Sequence, residues 1–476
     1  MRGLCFVGSV LGALAGALLL SGCAATGIPG DQPVLRAKDQ VMPALVHIQP
    51  VQEVFAQGRR EQRPIVGSGF IISPEGYVVT NEHVAGRSGY VRCVLYDRRE
   101  MDAEVIGTDR YTDIAVLKLQ TEGEALPYVR MGESAALQAG QTVLAMGSPL
   151  GLSRSVSRGI ISVPDRHIPD HGTMTSPYNN WIQTDAAINQ GNSGGPLVNL
   201  RGEVIGVNAR IIGGADNIGF AIPIDIAKEV VDALIADGHV SRSWIGVTLQ
   251  EMRRRTDDPG QRGVVIGGVD PMSPAQEAGV LPGDILLTVD GQAVDARFEE
   301  DLPAVRKRIA DIAPGSAVTI QLLRGGAEID LEVETMALAD LRGVELAFAE
   351  WGFTAAEVTP EIARRAQLPA PRGVLVSGVQ PGGPAANSGL QHGDIVLEID
   401  EEPVENMRDF EEMYADRIET GQRLVLFDVK SGPLMRYVLI DQSAVAGAPQ
   451  PGMEDLPPEE NGLMSPELNG GLDGLE

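Results

Sequence analysis

The chain has 476 residues, 43% hydrophobic and 22% charged, enough for about three domains with cores of their own and too balanced for whole-chain disorder. Its 65 acidic and 38 basic side chains leave a formal net charge of −27, which repels phosphate backbones and argues against nucleic acid as a partner. Cys5, Cys23 and Cys93 are too few and too scattered for a disulfide framework or a zinc site, and neither a cofactor nor a metal is expected.

Arg2 precedes an apolar run rich in Gly, Ala and Leu that is too short for a spanning helix and reads as an export signal over residues 1–22. Its end, Leu20-Ser21-Gly22-Cys23, resembles the lipobox of bacterial lipoproteins. That resemblance implies acylation of Cys23 and a membrane anchor on a tether over residues 23–35; an ordinary secretory signal is the alternative. Ala24 in place of Asp favours the outer membrane where the enterobacterial sorting rule applies.

Short β-branched runs punctuated by Gly, Pro and Asn follow: Val66–Ile72, Tyr77–Thr80, Val91–Tyr96, Ile114–Leu119, Thr142–Met146, Ile160–Val163 and Glu203–Val207. They predict a mostly β domain of barrel or sandwich type over residues 36–238. Pro223 opens a helix with Ile226, Val230, Val231, Leu234 and Ile235 on one face, and Gly238 stands where a C-terminal cap belongs. The chain then repeats itself: Gly263-Val264-Val265, Pro274-Ala275 and Gly283-Asp284-Ile285 return as Gly373-Val374-Leu375, Pro384-Ala385 and Gly393-Asp394-Ile395. The constant offset of 110 residues predicts tandem domains over 239–338 and 339–442, since solenoid repeats have periods of about 20–50 residues. From 443 to 476 the chain is acidic and Pro-rich, with no apolar period, and reads as a disordered tail.

The chemistry centres on Gly191-Asn192-Ser193-Gly194-Gly195-Pro196. A Ser on a tight glycine turn exposes its hydroxyl while the turn's backbone N–H groups, from Gly191, Asn192 and Ser193, converge where an oxyanion would form; Gly191 and Ser193 are the donors expected to point inward. Thr80-Asn81-Glu82-His83-Val84 offers His83 as general base. Asp113, opening Asp113-Ile114-Ala115-Val116-Leu117, can hold the imidazole in its working tautomer. The other histidines, His47, His167, His171, His239 and His392, read as surface or turn residues.

With these three motifs in the order His, Asp, Ser, the sequence resembles the HtrA family of chymotrypsin-fold serine proteases, as do Gln183–Asn189 and Gly219–Pro223. The resemblance spans nearly all of the mature chain except the tail. It implies a chymotrypsin-like double β-barrel followed by two PDZ domains, an ATP-independent endopeptidase of envelope protein quality control, and a trimer-based homo-oligomer. By the same resemblance Ala187 lies at the base of the specificity pocket, which is then apolar, and Asn208, Ala209 and Arg210 form the edge that pairs with substrate. Residues 168–180 and 211–217 correspond to activation loops. The segment Val51–Pro64 stands where some relatives carry a long inhibitory loop, and is short here.

The tandem domains resemble permuted bacterial PDZ modules, with carboxylate-binding loops at Trp244-Ile245-Gly246-Val247 and Trp351-Gly352-Phe353-Thr354. Successive N–H groups of such a loop receive a peptide C-terminus while the adjoining strand accepts the peptide as an added strand. Thr354 departs from the usual aliphatic residue, which leaves peptide binding and a purely architectural role both open for the second module. The expected partners are unfolded proteins and peptide C-termini. Regulatory cleavage of one membrane-protein substrate, in the manner of DegS, and a non-cleaving chaperone are the alternatives.

Overall fold

The computed structural model describes residues 31–86, 88–148, 154–168, 176–189, 191–211, 217–338 and 345–442. The signal, Cys23, His171 and the tail lie outside the described residues.

The apolar runs fold as two barrels, because a strand apolar on one face or both is covered when its sheet closes on itself. The first has strands β1 (Leu45–Ala56), β2 (Arg59–Pro64), β3 (Gly67–Ile71), β4 (Tyr77–Thr80), β5 (Ser88–Val94), β6 (Glu100–Asp109) and β7 (Ile114–Leu119). Pairing of β1 with both β3 and β5 closes six strands in the order β1-β3-β4-β7-β6-β5, and β2 extends from β1 as a hairpin arm. The second barrel has β8 (Arg130–Met131), β9 (Thr142–Gly147), β10 (Ser155–Arg166), β11 (Trp181–Thr184), β12 (Pro196–Asn199), β13 (Glu203–Ile211) and β14 (Gly219–Pro223). Here β12 meets β13 to close six strands, and β8 lies parallel to β13 outside the ring. The expected double barrel is therefore present.

Three helices attend the barrels: α1 (Gln32–Val41), α2 (Glu82–Ala85) and α3 (Ile224–Asp237). Helix α1 was not expected; it starts inside the stretch read as a tether and buries Ala37 and Val41, one turn apart, on the barrel core. Helix α3 buries Ile224, Ala227, Val230, Val231 and Leu234, while Ile235, expected on that face, is exposed. Gly238 caps it with φ 75°, a left-handed conformation, as its N–H returns to the Leu234 carbonyl. His47, read as a surface residue, is buried in β1 opposite Ser68. The segment Val51–Pro64 is mostly strand, the β1–β2 hairpin, turning at Gln57 and Gly58 with φ 49° and 74°, the positive pair that suits a two-residue turn.

The first tandem module comprises β15 (Ser243–Trp244), β16 (Val247–Gln250), β17 (Val264–Val269), β18 (Ile285–Val289), β19 (Gln292–Ala293), β20 (Ala317–Arg324), β21 (Ala327–Glu334) and β22 (Met336–Ala337), with α4 (Pro274–Glu277) and α5 (Leu302–Ala310). The second comprises β23 (Glu345–Phe348), β24 (Phe353–Glu357), β25 (Val374–Val379), β26 (Ile395–Ile399), β27 (Glu402–Pro403), β28 (Leu424–Ser431) and β29 (Leu434–Asp441), with α6 (Pro360–Arg365), α7 (Pro384–Asn387) and α8 (Met407–Glu419). The duplication reaches to ion pairs: Asp284 binds Arg324 at 2.7 Å and Asp394 binds Arg436 at 2.5 Å. At the junction of the two barrels and the first module, the buried Arg242 guanidinium forks onto both Asp109 oxygens at 2.6 and 2.7 Å and lies over the rings of Tyr111 and Tyr178.

Candidate active site

The first barrel contributes a base and its orienting acid. Strand β4 ends at Thr80, Asn81 opens α2, and His83 in that short helix meets Asp113 at the start of β7. His83 Nδ1 lies 2.9 Å from each Asp113 oxygen, and the His83 backbone N–H donates to Oδ1 at 3.0 Å. With Nδ1 engaged on the carboxylate, Nε2 is the nitrogen left to accept a proton. Asp113 is 7% exposed and holds φ 58°, a conformation costly to most side chains; Asn81 Nδ2 and the Glu82 N–H fix it through its carbonyl at 2.9 and 3.2 Å.

The second barrel contributes the nucleophile turn before β12. Gly194 has φ 80°, and a Cβ there would stand 2.2 Å from the Ser68 carbonyl and from Thr80 Oγ1, so only glycine lets the turn approach the first barrel this closely. The turn is thereby seated against Thr80 and Asn81, just ahead of His83. Ser193 Oγ donates to the Ala209 carbonyl at 3.1 Å. Among the described residues no acceptor takes the N–H of Gly191 or of Ser193, whereas the Asn192 N–H is spent on the Asn189 carbonyl at 2.9 Å. Of the three N–H groups read as converging, that of Asn192 is thus engaged elsewhere, and the two expected to point inward, Gly191 and Ser193, are those without an acceptor there.

Ser68 of β3 was not singled out from sequence. It is fully buried, its N–H donates to the Ser193 carbonyl at 2.9 Å, and its Oγ donates to the Gly191 carbonyl at 2.6 Å while accepting from the Ser148 N–H at 2.8 Å. A lone Ser between glycines in an otherwise apolar strand was the available signal.

Ala187 is exposed beside the turn, its carbonyl receiving Ser157 Oγ at 2.8 Å. Asn208 is not on a free edge: it is fully buried, and its N–H and carbonyl pair with Gly195 and Gly194 at 2.8 Å. Its Nδ2 bridges the Met146 and Pro196 carbonyls at 3.2 Å. The register of β13 shifts between Asn208 and Arg210, and its pairing with β12 ends at Val207, so among the described residues no strand pairs with that edge from Ala209 onward, where the Ala209 carbonyl receives Ser193 Oγ. The described end of the expected activation loop touches the first module, where Asn180 Nδ2 donates to the Glu300 carbonyl at 3.0 Å and His167 lies against Asn180 and Glu299.

In the first module Gly246 has φ 81° and Ile245 is buried in the core, while Trp244 pairs with β22 and Val247 opens β16. The second loop aligns one residue away from the sequence reading. The Gly246 and Gly352 carbonyls each receive a 2.8 Å bond, from Asp270 and Gln380, and those of Ile245 and Trp351 receive Ala275 and Ala385. Trp351 therefore takes the place of Ile245 and Phe353 that of Val247, while Thr354 matches Thr248. Trp351 is a core residue stacked with Phe353 and edge-on to Phe410, Tyr414 and Phe427, not a groove residue. Thr354 is buried and is no departure from the pattern.

Residues 67–207 match the family of trypsin-like peptidase domains, and 243–335 and 349–417 match PDZ domains. The chain is similar to the probable periplasmic serine endoprotease DegP-like of Chlamydia trachomatis serovar D, 37% identical over 396 residues covering 81% of this chain and 76% of that protein. It is 39% identical over 384 residues to the protein of that name in Halomonas elongata, covering 76% of each. Among solved structures it resembles the HtrA-type protease AlgW with a tripeptide, with a TM-score of 0.56 and 34% identity over 64% of this chain and 96% of that one. The same protease with a decapeptide gives 0.54 and 33%, over 64% of this chain and 98% of that one.

Proposed function

This chain belongs to the HtrA-type, DegP-like serine endoproteases, and from that premise we propose that Ser193, His83 and Asp113 are its catalytic triad. The reading rests on the His83–Asp113 pair at 2.9 Å, set beside a Ser193 turn with two unspent N–H groups. Ser193 Oγ leaves the Ala209 carbonyl by rotating about χ1 and gives its proton to His83 Nε2 as the oxygen bonds to the scissile carbonyl carbon. The N–H groups of Gly191 and Ser193 receive the oxyanion, and Asp113 stabilises the imidazolium. That proton passes to the leaving amine as the C–N bond breaks. Water, deprotonated by His83, then releases the acyl group and restores the serine. Water is the one reagent consumed and the protein groups are regenerated, so this mechanism calls for no nucleotide.

We assign the enzyme to quality control of unfolded envelope proteins, with peptide C-termini received along the open edge of β16 in the first module and with a lipid on Cys23 as the membrane anchor. The test is degradation of casein by the Ser193→Ala enzyme. Loss of about 10⁴–10⁶ in turnover is expected, together with cleavage by the unaltered enzyme after Val, Ala or Ile and not after Lys, Arg, Asp or Glu. Substantial residual cleavage overturns the triad; a map dominated by charged residues overturns the role of Ala187.

A further inference from the structure

The two tandem modules share a strand next to the glycine loop, yet those strands differ in what lies beside them. Among the described residues strand β16 pairs with β17 and carries no strand on its other edge, whereas β24 pairs with β25 on one side and with β23 on the other. The edge that β23 occupies is the equivalent of the open edge of β16.

Strand β23 lies there as a ligand would. It runs antiparallel to β24, pairing Glu345 with Ala356, Leu346 with Ala355, Ala347 with Thr354 and Phe348 with Phe353, so it ends at the glycine loop. The Phe348 carbonyl accepts the Gly352 N–H at 2.8 Å, a donor that an empty loop offers to a terminal carboxylate. Its ring is 2% exposed, between β24 and α8, with centroids 5.4 Å from Phe353, 4.8 Å from Phe410 and 5.0 Å from Tyr414. The same loop is covered from outside by the β1–β2 hairpin of the first barrel. Gly58 lies so near that a Cβ would stand 2.3 Å from the Gln380 nitrogen and 2.9 Å from the Gly352 carbonyl oxygen.

We propose that the second module is a self-occupied peptide groove: β23 holds the place of an extended peptide with Phe348 as its terminal residue, leaving the first module as the only receptor for free C-termini. Joined to β24 through the short loop Ala349–Gly352, β23 competes at an effective concentration on the order of millimolar or above, which a free peptide at micromolar concentration does not match. The groove's own occupant defines its latent specificity, an extended chain with Leu two residues before a terminal Phe. The role left to the first module rests on the reading above; the occupied groove does not.

Hydrogen exchange on the full-length Ser193→Ala enzyme tests this, with an acetylated peptide ending in Leu-Ala-Phe and a free carboxylate as the probe. Without peptide, every β24 amide is protected, while the β16 amides facing the open edge exchange fast. Saturating peptide protects β16, leaves β24 unchanged and binds one per chain. Fast exchange across β24, or protection of β24 gained from the peptide, overturns the proposal. Protection of neither strand by the peptide, with β24 already protected, overturns only the role of the first module. Phe348→Ala empties the pocket and raises the stoichiometry to two; a folded variant that still binds one counts against the proposal, and if it does not fold, the exchange data on the unaltered groove decide.

Discussion

Ser68 shows how one buried residue can brace the proposed oxyanion site. Its hydroxyl fixes the Gly191 carbonyl and its N–H the Ser193 carbonyl, so it clamps the two residues whose own N–H groups are the proposed oxyanion donors. Ser68→Ala leaves the Gly191 carbonyl and the Ser148 N–H unmatched in a buried site, a loss of about 1–3 kcal/mol. We expect kcat to fall about tenfold or more with KM little changed, and labelling of Ser193 by a fluorophosphonate to slow in proportion. Cys93 makes the opposite case, a nucleophile kept silent. Burial in β5, with a smaller contribution from Asp102, pushes its pKa up to about 12 from 9.0. The folded thiol stays protonated where the unfolded one ionises, so stability is unaffected below pH 9 and falls as pH rises from there toward 12. At pH 8 the native enzyme should resist iodoacetamide that alkylates it in urea. The positions of the proposed triad could be read from sequence because each sits in a motif next to a strand. Ser68 could not, since a small polar residue in an apolar strand gives no spacing to read.

Elements were legible in proportion to their apolar period. The barrel strands and α3 carry it; α1 does not, because only Ala37 and Val41 are buried in ten residues, and β23 is four residues long. The second carboxylate loop was placed one residue out because Trp244 and Trp351 invite alignment on each other, whereas the backbone aligns the glycines that turn the chain, Gly246 with Gly352. The hairpin β1–β2 depends on glycine in the same way. Gly58→Ala puts a methyl group into the Gln380 backbone and adds about 1–2 kcal/mol of left-handed strain. The variant should fold both barrels while the amides of residues 51–64 exchange faster and the hairpin is cut by added thermolysin.

At the scale of the whole chain, the barrels and the first module are joined by Arg242 and Asp109. That aspartate also holds the Tyr111 N–H and the hydroxyl and N–H of Thr112, in the turn that leads to Asp113. Removing one member of a buried pair strands the other, at a cost of about 3–5 kcal/mol. Arg242→Ala should lower the first thermal transition and increase the radius of gyration in solution scattering as the module swings free. Small-angle scattering with an unchanged profile would show that the pair does not restrain the module.

The hairpin that covers the Gly352 loop joins strands made early in synthesis to a module made well after them. Until the second module has been delivered, the first barrel has its strands but not the surface that receives its arm, so this contact cannot close before that module folds. A chain interrupted before Glu345 would carry a finished barrel with an uncovered arm, which makes seating of Gly58 a mark that distinguishes a chain with a folded second module from one cut short before it.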